Sequence, residues 1–232
     1  MTLLKDKFKS KSDELSAEVK DLIKKYGKSK IDDVTSGQVY QGMRGVTGLV
    51  SETSLLDPNE GIRFRGFSIP ELRQKLPKAP GGSEPLPEGL FYLMLIGELP
   101  TEEEAVEITN AWGRRSHVPN HVFDAIDSLP HSTHPMTMFS IAITAMQTDS
   151  KFAKAYAGGI SKTDYWNYMF EDAMNLISRL PRVAAYMYRL KYKGGEHIHP
   201  DGNLDWAGNF AHMLGYDDET FYELMRLYMT LH

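Results

Sequence analysis

The 232-residue sequence contains no cysteine. That absence excludes disulfide staples, thiolate nucleophiles and cysteine-ligated zinc, and it fits a reducing compartment. No apolar run is long enough to cross a bilayer. The dinucleotide pattern GxGxxG is missing, and so is a glycine-rich phosphate loop ending in Lys-Ser/Thr. There is no Gly-x-Ser-x-Gly nucleophile elbow and no zinc-protease histidine pattern. Repeats and low-complexity tracts are absent as well. The opening MTLLKDKFKSKSDEL has no signal-peptide core, and Asp6, Asp13 and Glu14 argue against an intact organelle-targeting peptide.

What remains has a globular balance, with 41% hydrophobic and 25% charged residues. The length is enough for a substantial core. Charge is uneven: residues 1–30 carry +4 and the remainder −9, for a net −5. A solvated helix face is the simpler account of the basic opening, and weak steering of an anion is the other. No nucleic-acid or membrane partner is expected.

Apolar periodicity predicts a mainly α fold. Leu15, Val19, Leu22, Ile23 and Tyr26 form one helical stripe, with Gly27 as its stop. Residues 41–66 are glycine-dense, DPNEG reads as a turn, and Ile62 and Phe64 alternate with Arg63 and Arg65, so a few short strands are expected there. Ser68 caps a helix with Pro70 in its first turn. LFYLMLIG and MTMFSIAITAM are apolar nearly all round, which predicts two buried helices. Thr101–Glu104 fits a capping box. Ser161 and Asp164 cap the next helix, which Pro181 is expected to end or restart. A helix over NLDWAGNFAHML stops at Gly215, and ELMRLYMTLH closes the sequence with Leu224, Leu227, Tyr228 and Leu231 at helical spacing. An apolar helix end without a polar tail calls for a covering partner or for further chain. The architecture expected is a thick multilayer helical domain, not a four-helix bundle.

Few residues stand out chemically. His117 and His121 are four apart, but Pro119 between them spoils a rigid metal-binding pair. His131 and His134 flank a helix start, where capping is the simpler role. His197 and His199 are turn residues near carboxylates, and no metal site is expected. Arg44, between Met43 and Gly45, offers a fixed donor fork to an anion where the backbone approaches closely, or else pairs with Glu52. Lys162 lies just inside a helix start, where it either contacts phosphate or is simply solvated.

The same residues are more specific as words. GMRGVTGLVSETSLLDPNEGIRFRGFSIPEL, EPLPEGLFYLMLIGELPTEEE, LPHSTHPMTMFSIAITAM and ELMRLYMTLH, in that order, resemble the mitochondrial-type branch of the citrate synthase family. The resemblance implies a homodimer of helical subunits, each with a large and a small domain. It implies condensation of acetyl-CoA with oxaloacetate and water to citrate and CoA in the mitochondrial matrix, with no tightly bound cofactor. A 1–30 helical arm would precede an incomplete large domain over 31–232, with the small domain and the family's proton-transfer His and Asp lying beyond it. The isolated chain is therefore expected to be inactive. Arg44 matches a family arginine for CoA phosphates. Lys162 stands where relatives carry an arginine for the same purpose, keeping the charge and losing the fork. His232 matches a histidine at the edge of the oxaloacetate pocket. Arg63 and Arg65 look structural. Two rivals stay open: 2-methylcitrate synthase, which uses propionyl-CoA, and a non-catalytic scaffold that retains the architecture.

Overall fold

The structure, a computed structural model, describes residues 2–51 and 53–231. It opens with α1 (Thr2–Tyr26). The stripe from Leu15 to Tyr26 is helical as expected, but it faces solvent. Docking comes instead from the first turns. Leu4 is buried, and the Phe8 ring lies 5.5 Å from Phe170. Lys5 pairs with Glu171 at 2.7 Å, Lys11 with Glu98 at 2.9 Å, and Lys7 with Glu104. Three lysines of the basic opening are thus held in ion pairs with the helical body.

Thr35 and Gln38 form a capping box on α2 (Ser36–Tyr40). Among the described residues, the hydrogen bonds of segment 30–50 are internal to it. Its apolar side chains are bare, with Tyr40 93% and Leu49 85% exposed. The expected strands follow as an antiparallel meander: β1 (Ser54–Asp57), β2 (Gly61–Phe64) and β3 (Phe67–Ser68). The Asp57 carboxylate accepts the Asn59 and Glu60 amides at 2.7 and 2.9 Å and so makes the DPNEG turn. Alternation points Phe64 into the core, while Arg63 pairs outward with Glu60.

The rest is helical: α3 (Ile69–Lys75), α4 (Pro87–Ile96), α5 (Glu102–Arg115), α6 (Asn120–Asp127), α7 (Pro135–Ala145), α8 (Lys151–Ala157), α9 (Tyr165–Tyr192), α10 (Trp206–Leu214) and α11 (Glu219–Leu231). The α9 helix is the spine, packed by α5, α7, α8 and α10. Glu71 reaches back to the Ser68 amide at 2.8 Å, and Glu104 reaches back to Thr101 at 2.9 Å. His134 caps α7 by accepting the Met136 amide at 3.2 Å. Gly97 and Gly215 end α4 and α10 at φ 84° and 99°, a left-handed conformation that glycine adopts without strain.

Three expectations need correction. Asp164 makes no side-chain cap on α9, and Ser161 instead accepts the Thr163 amide at 3.3 Å in the 3₁₀ turn before it. Pro181 neither ends nor restarts its helix, because α9 runs unbroken from Tyr165 to Tyr192. And of the two all-apolar helices only α4 is deeply buried. The α7 helix buries the single stripe Met138 and Ala142, continued by Met146 just past its end, while Met136 is exposed and Phe139 and Ile143 face open clefts. Apolarity around the whole turn signals a need for cover, and within this chain α7 is covered on one side only.

Candidate functional site

A cleft of about 500 Å³ opens between α4, α9, α10 and α11. Leu90, Phe91 and Met94 form one wall, Ile177 and Leu180 a second, and Trp206, Phe210 and Met229 a third. No charged side chain lines it. It is suited to packing apolar surface and unsuited to a dicarboxylate.

The walls are fixed by a chain of polar contacts. Glu88, on α4, is fully buried. One of its oxygens accepts the Thr109 hydroxyl at 2.9 Å and the Trp206 amide at 3.3 Å. The other oxygen has no partner among the described residues. Burial, with the charge of nearby Asp205, pushes the Glu88 carboxyl up to about 7. Asp205 caps α10 through the Gly208 amide at 3.0 Å and pairs with Arg226 at 2.7 Å. Arg226 is itself buried and also holds Glu219 at 2.8 Å and Glu223. Glu223 in turn accepts the amides of Ser83 and Glu84, both at 2.6 Å. The α11 helix is thereby clamped to α10 and to the loop before α4. The apolar residues Leu224 and Tyr228 point outward, 55% and 51% exposed, so the inward face of α11 is Met225, Arg226 and Thr230.

The residues singled out in the sequence lie apart. Arg44 sits on the exposed loop between α2 and β1. Among the described residues it has no ion pair, and Glu52, its alternative partner, lies outside them. Lys162 is exposed in a short 3₁₀ turn before α9. No hydrogen bond or ion pair joins it to Arg44 among the described residues. His232 lies outside the described residues. Arg63 and Arg65 are structural: Arg63 bridges Glu60 and the Gly66 carbonyl at 3.0 Å, and Arg65 donates to the Met94 carbonyl at 2.8 Å. Among the described residues no group of three His, Asp or Glu is placed to hold a metal ion, and no helix is long and apolar enough to cross a membrane.

Comparison with known proteins decides the family. Residues 42–232 match the family model described as citrate synthase, C-terminal domain. The chain belongs to the citrate synthase family. Among its relatives, the mitochondrial citrate synthase of Xiphias gladius is 53% identical over 215 residues, covering 92% of this chain and 46% of the relative. That of Kajikia audax is 52% identical with the same coverage. The crystal structure of citrate synthase from Pyrobaculum aerophilum superposes with a TM-score of 0.72 at 24% identity, over 88% of this chain and 51% of that one. That likeness speaks to the fold, which is the mainly α fold expected. The chain spans about half the length of the curated relatives it matches.

Sequence reasoning missed Glu88 and Arg226. Neither Glu88, just ahead of LFYLMLIG, nor Arg226, within LMRLYM, was singled out from the sequence. The available signal was their setting, each in an otherwise apolar helical segment.

Proposed function

We propose that the full-length protein carrying this chain is a citrate synthase, condensing acetyl-CoA with oxaloacetate and water to give citrate and CoA. The observation that carries this reading is identity above half, over 92% of the chain, with relatives named mitochondrial citrate synthase. The same identity supports a mitochondrial location. The acid and base groups that hold an acetyl-CoA enol are proposed to lie in the part of the family length that this chain does not span. The division into a 1–30 arm and an incomplete large domain over 31–232 belongs to the same proposal.

The proposed assembly is a homodimer. Its support is the bare apolar surface of segment 30–50, the outer face of α7, and Leu224 with Tyr228 on α11, all of which need cover. The cleft between α4, α9, α10 and α11 is proposed to seat helices from the remaining half of a full-length chain. Arg44 and Lys162 are assigned to CoA phosphates, serving a site completed outside this chain. His232 is assigned to the rim of the oxaloacetate pocket. No tightly bound cofactor is proposed.

The test is release of free thiol from acetyl-CoA and oxaloacetate by the purified full-length protein. Thiol release is expected there and not from residues 1–232 alone. A well-folded full-length protein that releases none would overturn the proposal. A higher kcat/KM with propionyl-CoA than with acetyl-CoA would replace it with 2-methylcitrate synthesis.

A further inference from the structure

A second pocket, of about 270 Å³, lies between α6, the C-terminal part of α9 and the turn 197–199. Its lining is unlike that of the apolar cleft. Arg182, Arg189, His197 and His199 contribute basic groups, and Phe123 and Tyr186 contribute rings. Three rings adjoin in a row, one pair stacked and one tilted. Tyr186 lies 3.7 Å from His197 with planes 11° apart, and Phe123 lies 4.4 Å from the same Tyr186 ring, tilted by 34°. The row fixes His197 on a turn that would otherwise be free to move.

The two arginines of this pocket form no ion pair among the described residues. Arg182 lies over the Phe123 ring at 5.6 Å and has no carboxylate partner among the described residues. Arg189 uses its Nε on the Glu196 carbonyl and one terminal nitrogen on the Leu214 carbonyl at 3.1 Å, both neutral acceptors. The acids nearby are Asp124 and Asp127, both on α6. Asp127 keeps its charge and accepts the Tyr186 hydroxyl, which lies 2.8 and 2.7 Å from its two oxygens, in place of an arginine. Partly buried arginines are ordinarily paired with carboxylates or hydrogen-bonded to the full.

We propose that this pocket binds a small organic anion carrying phosphoryl or multiple carboxylate groups, held by Arg182 with His197 and His199. The volume falls below the range of about 300–1,000 Å³ usual for drug-sized ligands, so the ligand is small. Arginine and histidine together give the charge-assisted donors that either anion requires. Partial desolvation of the exposed His197, with the charges of Arg189 and His199, holds its ring below the ordinary histidine range, against the pull of Asp127. An anion arriving beside the ring favours its charged form. The site is independent of the proposed synthase activity, and its test uses no turnover.

The experiment is an NMR pH titration of the His197 and His199 ring protons in the purified chain. It is run with inorganic phosphate, with tricarballylate, and with sodium chloride at matched ionic strength. A rise in the His197 pKa with either organic or inorganic anion, and not with chloride, is expected; which anion acts identifies the phosphoryl or carboxylate source. Arg182→Gln should weaken binding about tenfold or more, the range of one lost charge-assisted contact, and Arg182→Lys should restore part of it. Circular dichroism and a urea midpoint establish that both variants fold. No response to either probe, a response matched by chloride, or full affinity in a folded R182Q would each overturn the proposal.

Discussion

The indole Nε1 of Trp206 donates to the backbone carbonyl of Ile177 at 3.2 Å. Ile177 lies four residues before Pro181, so its carbonyl is the one that Pro181, lacking an N–H, leaves without a helical partner. A side chain from α10 therefore repairs the defect in α9, while the backbone amide of the same residue donates to buried Glu88. One tryptophan joins three helices, and α9 passes through a proline without breaking.

Trp206→Phe should destabilise the chain by about 1–2 kcal/mol through the lost hydrogen bond alone, since the ring volume is mostly kept. Pro181→Ala supplies an amide that can satisfy Ile177 from within the helix. The two substitutions should therefore couple, W206F costing less in the P181A background. Urea denaturation of the four chains in a double-mutant cycle measures this, and strict additivity would contradict the assigned role.

Glu88 gives stability a slope of unusual sign. Its folded-state pKa of about 7 lies above the ordinary 4.5, so the folded chain holds a proton that the unfolded chain releases. Stability from this group is complete below pH 4.5 and is lost as pH rises to about 7. Across that window the loss is about 3 kcal/mol, at 1.36 kcal/mol per pKa unit. Glu88→Gln keeps a carbonyl acceptor for Thr109 and Trp206 and cannot ionise. It should be more stable than the parent at pH 8 and should lose that advantage near pH 5, as read from urea midpoints.

The acid side has the opposite sign. Burial alone would raise the Glu223 carboxyl, but hydrogen bonds from Ser83 and Arg226 bring it down to about 2. Glu171 reaches about 2 in the same way, with Lys5, Arg115 and Lys151 as its donors. Their stabilisation is present above pH 4.5 and is lost as pH falls toward 2. Arg226→Met should cost about 3 kcal/mol at neutral pH, because it leaves the largely covered carboxylates of Asp205 and Glu223 without their cation. It should also flatten the acid limb. A loss below 1 kcal/mol would show the cluster to be better solvated than its burial indicates.

What the sequence made legible follows from where the information sits. The capping boxes at Ser68 and Thr101, the cap at His134 and the Asp57 turn are contacts within three residues, and spacing alone specifies them. Burial of α4 was legible because its apolar residues leave no polar face. The continuity of α9 was not, since its repair comes from Trp206, 29 residues from Ile177. Nor was the docking of α1, whose regular stripe is bare while Leu4 and Phe8 pack. Local chemistry left an anion contact open for Arg44 and Lys162, but their assignment to CoA came by resemblance, and neither side chain meets the other among the described residues.

Those two residues carry the last prediction, which concerns the full-length protein. If both contact CoA phosphates, Arg44→Ala and Lys162→Ala should each raise the acetyl-CoA KM by about ten- to a hundredfold, the range for a charge-assisted contact of about 1.5–3 kcal/mol. The kcat should be unchanged, because the phosphates are remote from the reacting methyl and bind equally in ground and transition states. The oxaloacetate KM should not move. Lys162→Arg restores a planar two-pronged donor and should lower the acetyl-CoA KM a few-fold. Exposed lysines and arginines without a ligand contribute little to folding, so the variants should keep the parent urea midpoint. Steady-state kinetics over both substrates separates the outcomes: a fall in kcat with KM constant would remove both residues from the phosphate site.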